Sequence, residues 1–75
     1  MRNTTYNGST YEIEVTMRYP GRHSYNVKLI DGTWPENLKE IGALCDNRFQ
    51  YFGGNVSNPR QDGDTESVGV TCYVD

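Results

Sequence analysis

The sequence has few of the residues on which catalysis and metal binding depend. It contains one histidine and two cysteines among 75 residues, with no CxxC pair and no glycine-rich phosphate loop. One histidine and two cysteines cannot supply the four ligands of a structural zinc site without carboxylates. His23 falls at a predicted turn, away from a base or nucleophile that it could assist. We therefore expect no metal, no cofactor and no catalytic residue, and predict that the protein is not an enzyme.

The sequence also lacks a cluster of positive charge and a long apolar run. Seven Lys and Arg against ten Asp and Glu give a net charge of −3, and the cations are scattered along the chain. Proteins that follow a nucleic-acid backbone place several cations on one face, so nucleic acid is not an expected partner. No apolar run approaches the roughly 18 residues of a membrane span. With a polar N-terminus, this predicts a cytoplasmic protein without membrane association.

What the chain does have is a strict alternation of apolar and polar residues from 11 to 19. Successive side chains of a strand point to opposite faces, so this run predicts a half-buried strand. The predicted inner set is Tyr11, Ile13, Val15, Met17 and Tyr19, and the predicted outer set is Glu12, Glu14, Thr16 and Arg18.

Two short turns frame this strand. Asn7-Gly8 predicts a two-residue hairpin in which Tyr6 lies opposite Ser9, and this makes residues 3–6 an edge strand. Pro20-Gly21 predicts a type II turn into the next strand. A two-residue loop there would mix the faces, so the sequence favours a three-residue loop, or a five-residue loop of the same parity.

The remaining elements complete an α+β prediction. A stripe of Trp34, Leu38, Ile41 and Cys45 predicts a helix from residue 34 or 35 to Asp46-Asn47, with Thr33 and Glu36 as a capping box. Strands are predicted at 48–52 and 67–74, joined by an irregular loop at 57–66. The fold class is a two-layer domain of residues 1–75. Its four- to five-stranded antiparallel sheet, in the order β-β-β-α-β-β, carries one helix on one face.

The two cysteines leave two interpretations open. Cys45 on the helix stripe and Cys72 on the last strand both point inward in this arrangement, which allows a buried contact or a disulfide. Three N-x-S/T sequences, at Asn3, Asn7 and Asn55, suit a secreted chain. The alternative hypothesis is therefore a secreted or virion-associated structural domain that self-associates and is stapled by a Cys45–Cys72 disulfide.

The leading hypothesis is a non-enzymatic module that binds another protein. A one-helix sheet of this size cannot bury all nine aromatic side chains, and Tyr and Arg are enriched at binding hot spots. The small size and acidity suggest a phage or mobile-element inhibitor that acts on an enzyme or defence complex in the host cytoplasm, as a monomer or weak homodimer. The predicted partner-binding residues are Phe52, Tyr73, Arg60, Arg18, Glu12, Glu14, Asp62 and Asp64.

Overall fold

The computed structural model describes residues 2–44 and 56–73 of the chain. Five strands form one antiparallel sheet in the order β1-β2-β3-β5-β4, which confirms the predicted antiparallel sheet. A 3₁₀ helix, Leu38–Leu44, connects part of the way from β3 to β4. The strands are β1 (Arg2–Tyr6), β2 (Ser9–Tyr19), β3 (Arg22–Asp31), β4 (Arg60–Asp62) and β5 (Thr65–Tyr73).

The hydrophobic core lies on one face of the sheet, called here the core face, and the opposite face is the outer face. Side chains from β2, β3 and β5 meet on the core face, and Ile41 of the 3₁₀ helix covers them with no exposed surface. Full burial of one such aliphatic or aromatic side chain stabilises the fold by about 1.5–3 kcal/mol. The buried hydrophobic residues are Tyr11, Ile13, Tyr25, Val27, Ile41, Leu44, Val68, Val70 and Cys72.

The first hairpin forms as the Asn7-Gly8 signal predicts. Both central residues have positive φ, 50° at Asn7 and 83° at Gly8, as a type I′ turn requires. Tyr6 lies opposite Ser9, and β1 is an edge strand of the sheet.

The second hairpin differs from both predicted registers. Tyr19 pairs with Arg22, so Pro20-Gly21 forms a two-residue loop. A register shift between Val15 and Met17 leaves Thr16 as an extra residue, which is a β-bulge. A two-residue loop would otherwise place polar residues of β3 opposite apolar residues of β2. The bulge removes this mismatch, because each residue of β2 after Thr16 points to the face opposite to the one that strict alternation predicts. Tyr11, Ile13 and Val15 remain on the core face as predicted, whereas Met17 and Tyr19 are carried to the outer face.

The turn itself gives a physical reason for the bulge. Proline holds φ near −65° and cannot occupy a type I′ turn, while Gly21 has φ 84°, the value expected after proline in a type II turn. Type II geometry does not match the twist of paired strands. A bulge adds local right-handed twist, and Thr16 places it three residues before the turn.

The predicted α-helix, and with it the α+β class, is not confirmed, because the described part of this segment is a 3₁₀ helix that starts at Leu38. Pro35 favours an extended Trp34, and Asn37 rather than Thr33 lies at the helix start, where its side chain accepts from the N–H of Lys39 at 3.2 Å. A 3₁₀ helix repeats every three residues. Its inner row is therefore Leu38, Ile41 and Leu44, which explains why Leu44 is buried although the α-helical stripe placed it at the border.

The polar segment predicted as an irregular loop contains a further hairpin. Asp62 pairs with Thr65 around a two-residue turn, and this makes β4 the outer neighbour of β5. The prediction was wrong here because no apolar alternation marks β4, whose three residues are all exposed. Residues 45–55, which include the strand predicted at 48–52, lie outside the described residues.

The last strand was predicted to turn Val68, Val70, Cys72 and Val74 inward; the first three are confirmed, and Val74 lies outside the described residues. Val68, Val70 and Cys72 are buried, and β5 pairs with β3 from Arg22 to Lys28 without a register shift. Cys72 is disulfide-bonded. Cys45, the other cysteine of the sequence, lies outside the described residues, and its pairing with Cys72 stays a prediction.

Candidate functional site

The end of the β2–β3 hairpin exposes large side chains that the alternation assigned to the core. We call residues 17–23 the hairpin tip. Met17 is 48% exposed and Tyr19 is 41% exposed, both on the outer face beyond the bulge. The guanidinium of Arg22 lies over the Tyr19 ring, 5.1 Å from its centroid. The tip therefore presents an apolar side chain beside a cation stacked on an aromatic ring.

The hairpin tip is also positively charged in an acidic protein. The segment from Val15 to Ile30 contains three of the seven Lys and Arg, together with His23, and no Asp or Glu. All ten acidic residues lie outside this segment. A charge separation of this kind steers association with an oppositely charged surface.

The arginines of the tip face opposite sides of the hairpin. Arg22 pairs with Tyr19 on the outer face, whereas Arg18 pairs with His23 in the next row, on the side of the core face. Arg18 was predicted on the outer face with Glu12 and Glu14. That placement is wrong because the bulge at Thr16 lies between Arg18 and the two glutamates.

Glu12 and Arg60 share one row across the outer face. The backbone register runs from Glu12 to Lys28, then to Ser67, and from Ser67 to Arg60 on the far edge. Three strand spacings separate Glu12 from Arg60, about 14 Å. Ser67, in the middle of this row, has no exposed surface. The row therefore has charged side chains at both ends, but Ser67 between them is inaccessible, so the row does not form a continuous docking surface.

The remaining predicted acidic residues lie apart. Glu14 is exposed in β2, and Asp62 and Asp64 are exposed at the β4–β5 hairpin. Glu66 faces the other way, where its carboxylate accepts from the indole N–H of Trp34 at 3.1 Å. Within residues 2–44 and 56–73, no group of three or more His, Cys, Asp or Glu is arranged to hold a metal ion.

The two aromatic residues of the predicted set are located only in part. Phe52 lies outside the described residues. Tyr73 occupies the last position of β5, opposite Arg22, so its backbone adjoins the hairpin tip. Of the eight predicted site residues, Arg18 thus belongs to the hairpin tip and Tyr73 adjoins it through its backbone. Glu12, Glu14, Arg60 and Asp62 are spread over the sheet, and Asp64 lies in the β4–β5 turn.

Three residues of this surface were missed by the sequence reasoning: Met17, Tyr19 and Arg22. The available signal was the pair Pro20-Gly21, which fits a type II turn with a two-residue loop. With that loop, the core face stays consistent only if one strand contains an extra, unpaired residue, as in a β-bulge. Arg22, three residues after Tyr19, then lies directly opposite that ring.

A second polar arrangement anchors the edge strand β1 to the 3₁₀ helix. The Tyr6 hydroxyl donates to Oε1 of Glu40 at 2.6 Å, and Nη2 of Arg2 donates to the Leu44 carbonyl at 2.9 Å. The Glu40 carboxylate raises the pKa of Tyr6 above its usual 10.0, because it accepts a hydrogen bond from the neutral phenol and repels the phenolate. Tyr6 therefore faces the 3₁₀ helix.

No helix among the described residues is long and apolar enough to cross a membrane. Comparison with known proteins gives no match: no protein-family model, no curated protein and no solved structure is significantly similar to this chain.

Proposed function

We propose that this protein is a non-enzymatic module that binds another protein through the hairpin tip. The observation that carries the proposal is the exposed Tyr19 ring with the Arg22 guanidinium stacked on it at 5.1 Å. Tyr, Arg and Met are enriched at protein interfaces, and Tyr and Arg dominate hot spots. Because the stacking contact already restricts both side chains, less conformational entropy is lost on binding.

The charge of the tip defines the kind of partner. A basic tip on an acidic domain fits an acidic surface that also offers an apolar pocket for Tyr19 or Met17. A protein suits this pattern better than nucleic acid, since Arg18 and Arg22 face opposite sides of the hairpin and do not line one groove. That the partner is a host enzyme or defence complex, and the protein a phage or mobile-element inhibitor, remains a prediction from size and charge.

Site-specific photo-crosslinking tests the proposal. A photoreactive residue replaces Met17 in one variant and Ile30 in a matched control, because Ile30 is 47% exposed at the other end of β3. In cells that express the protein naturally, we expect the Met17 probe to capture one protein that the Ile30 probe does not. Binding to that purified protein should weaken at least about tenfold in Tyr19→Ala and in Arg22→Ala. Equal capture by both probes, or unchanged affinity in both variants, would refute the tip as the binding site.

A second candidate function is supported by the disulfide at Cys72. Stable disulfides are typical of secreted and virion proteins and rare in the cytosol. A structural domain of an extracellular particle is therefore the alternative. Alkylation of free thiols in intact cells, before lysis, separates the two candidates: blocked thiols in the native protein support the structural domain, and alkylated thiols support the cytoplasmic binder.

A further inference from the structure

The outer edge of β1 has the properties of a strand that pairs with another strand. Among the described residues, β1 has one strand neighbour, β2, and pairs with it from Arg2 to Tyr6 without a bulge. Edge strands are usually protected by proline, lysine, a bulge or a covering element. The sequence of β1, RNTTY, contains no proline and no lysine.

The turn at Asn7-Gly8 determines which backbone groups face outward. In a two-residue hairpin the residues that flank the turn exchange both N–H···O bonds, so Tyr6, and with it Thr4 and Arg2, direct their backbone groups toward β2. Asn3 and Thr5 then direct their N–H and C=O groups away from the sheet. Their side chains are short and uncharged, so they do not block an approaching strand.

Both ends of β1 are fixed by hydrogen bonds on the core face. Arg2 at one end of β1 and Tyr6 at the other are each hydrogen-bonded to the 3₁₀ helix, at 2.9 Å to the Leu44 carbonyl and 2.6 Å to Glu40. Both ends of the strand are thus positioned before any partner binds. A preorganised strand loses little conformational entropy on pairing.

We propose that β1 pairs with β1 of a second copy of this chain, antiparallel and with the two-fold axis at Thr4. In this register Asn3 of one copy exchanges two hydrogen bonds with Thr5 of the other, and the symmetric pair adds two more. Thr4 then meets its own copy as a close, non-hydrogen-bonded pair, in which Thr–Thr contacts are favourable. The two sheets become one continuous sheet.

Charge complementarity selects this occupant and this register. The same pairing places Arg2 of each copy opposite Tyr6 of the other, beside the carboxylate of Glu40 that accepts from Tyr6. Arg2 uses Nη2 for the Leu44 carbonyl and has further N–H donors for that carboxylate. A parallel arrangement would instead bring the two Arg2 side chains together, which is unfavourable. The inference does not rest on the hairpin tip, which lies elsewhere on the sheet.

Sedimentation equilibrium over a range of concentrations tests the proposal. The wild-type protein should form a dimer whose dissociation constant rises about tenfold or more in Thr5→Pro, because proline removes two of the four intermolecular donors. Thr5→Val keeps the N–H and should leave the dissociation constant unchanged. A wild-type protein that stays monomeric up to about 1 mM would overturn the proposal.

Charge reversal supplies a second test that does not depend on proline. Arg2→Glu and Glu40→Arg should each weaken the dimer, because each brings like charges together across the two-fold axis, and the double variant should restore it. Tyr19→Ala should leave the dimer intact. A dimer that Tyr19→Ala abolishes and Thr5→Pro retains would assign self-association to the hairpin tip and overturn pairing through β1.

Discussion

Thr33 shows how single residues position the cover of the core. Its N–H donates to Oγ of Ser9 at 3.0 Å, and its carbonyl accepts from the Tyr11 hydroxyl at 2.6 Å. Side chains of β2 thus bind both the N–H and the C=O group of Thr33. At this residue the chain has left β3 and crosses onto the core face. Thr33 is not the helix cap that the sequence suggests, because the 3₁₀ helix starts at Leu38 and Asn37 lies at its start.

Gly32 is required for that crossing. It has φ 103°, and a Cβ built there would lie 2.9 Å from the Ser9 Cα. We expect Gly32→Ala to lower the free energy of unfolding by about 3 kcal/mol or more, because backbone strain and a backbone clash add. Gly63→Ala is the matched control, since Gly63 has φ 65° and open space around it, and should cost about 1 kcal/mol. Equal losses of unfolding free energy in the two variants, measured by urea denaturation, would contradict the close approach of Gly32 to the Ser9 backbone.

Tyr6 makes stability sensitive to alkaline pH. Its pKa is raised above 10.0 in the folded state by the hydrogen bond to Glu40. A raised folded pKa means that the folded state holds the proton more tightly, so this stabilisation is complete below pH 10 and is lost as pH rises through the folded pKa. We expect Tyr6 to ionise at a higher pH than an ordinary tyrosine in a spectrophotometric titration.

Tyr6→Phe identifies that tyrosine. The variant should remove the late-ionising group from the titration and abolish the alkaline loss of stability that Tyr6 contributes. A late group that persists in Tyr6→Phe would assign the raised pKa to another tyrosine. The experiment also reports on the anchor of β1, since Tyr6 and Glu40 join that strand to the 3₁₀ helix.

Residue burial could be predicted where side-chain alternation is unbroken. Tyr11 and Ile13 in β2 and Val68 and Val70 in β5 are buried as their patterns predict. Met17 follows the same alternation yet is exposed, because a period of two cannot reveal an extra residue inserted in the strand. The arginine that stacks on Tyr19 could not be predicted either, since it depends on the register that the bulge creates.

At the scale of elements, the β-bulge decides what the hairpin displays. Val15 pairs with Tyr25 and Met17 with Ser24, so the pairings on either side of Thr16 are already consecutive. Deletion of Thr16 should therefore keep every pairing and cost only about 1–2 kcal/mol, from the poorer match of strand twist to the type II turn. Arg18 and His23 form a non-hydrogen-bonded pair, whose Cα atoms approach closely. Cross-strand contacts between the Cα protons of these two residues in NMR spectra measure the register.

Deletion of Asn26 is the matched control. Its strand, β3, pairs with β5 without a register shift, so the deletion turns the residues on one side of it toward the wrong face. We expect this variant not to fold. A Thr16 deletion that behaves as badly as the Asn26 deletion would show that the residue is not a bulge.

The types of the elements were predictable to different degrees. Alternation and turn pairs located β1, β2, β3 and β5, because half-buried strands carry a periodic signal. The 3₁₀ helix was mistaken for an α-helix, since Leu38 and Ile41 fit both periods and the sequence positions of Trp34 and Cys45 continue the α-helical one. For β4 the one local signal was Gly63-Asp64, a turn pair that hairpins favour, with polar residues on both sides.

At the scale of the molecule, we expect the disulfide at Cys72 to contribute substantially to the stability of a domain with a small core. Reduction, or the substitution Cys72→Ala, should lower the free energy of unfolding by about 2–4 kcal/mol, because the unfolded chain gains freedom when the cross-link is lost. Urea denaturation with and without reductant measures this difference.

Reductant should have no further effect on Cys72→Ala. A wild-type protein whose unfolding is insensitive to reductant would show that the cross-link does not stabilise the fold. Because Cys72 is also buried, part of the loss in Cys72→Ala reflects packing, and the reductant series on the wild-type protein isolates the cross-link.

The order of the strands has a consequence for synthesis. The strand that lies between β3 and β4 is β5, which follows both of them in the chain. While the polypeptide emerges from the ribosome, the β1–β2–β3 meander is assembled from local contacts, but the edge of β3 stays unpaired until residues 65–73 arrive. During that interval β3 exposes Tyr25 and Val27, both fully packed in the finished core. The nascent chain is thus most prone to aggregation just before its last strand is inserted.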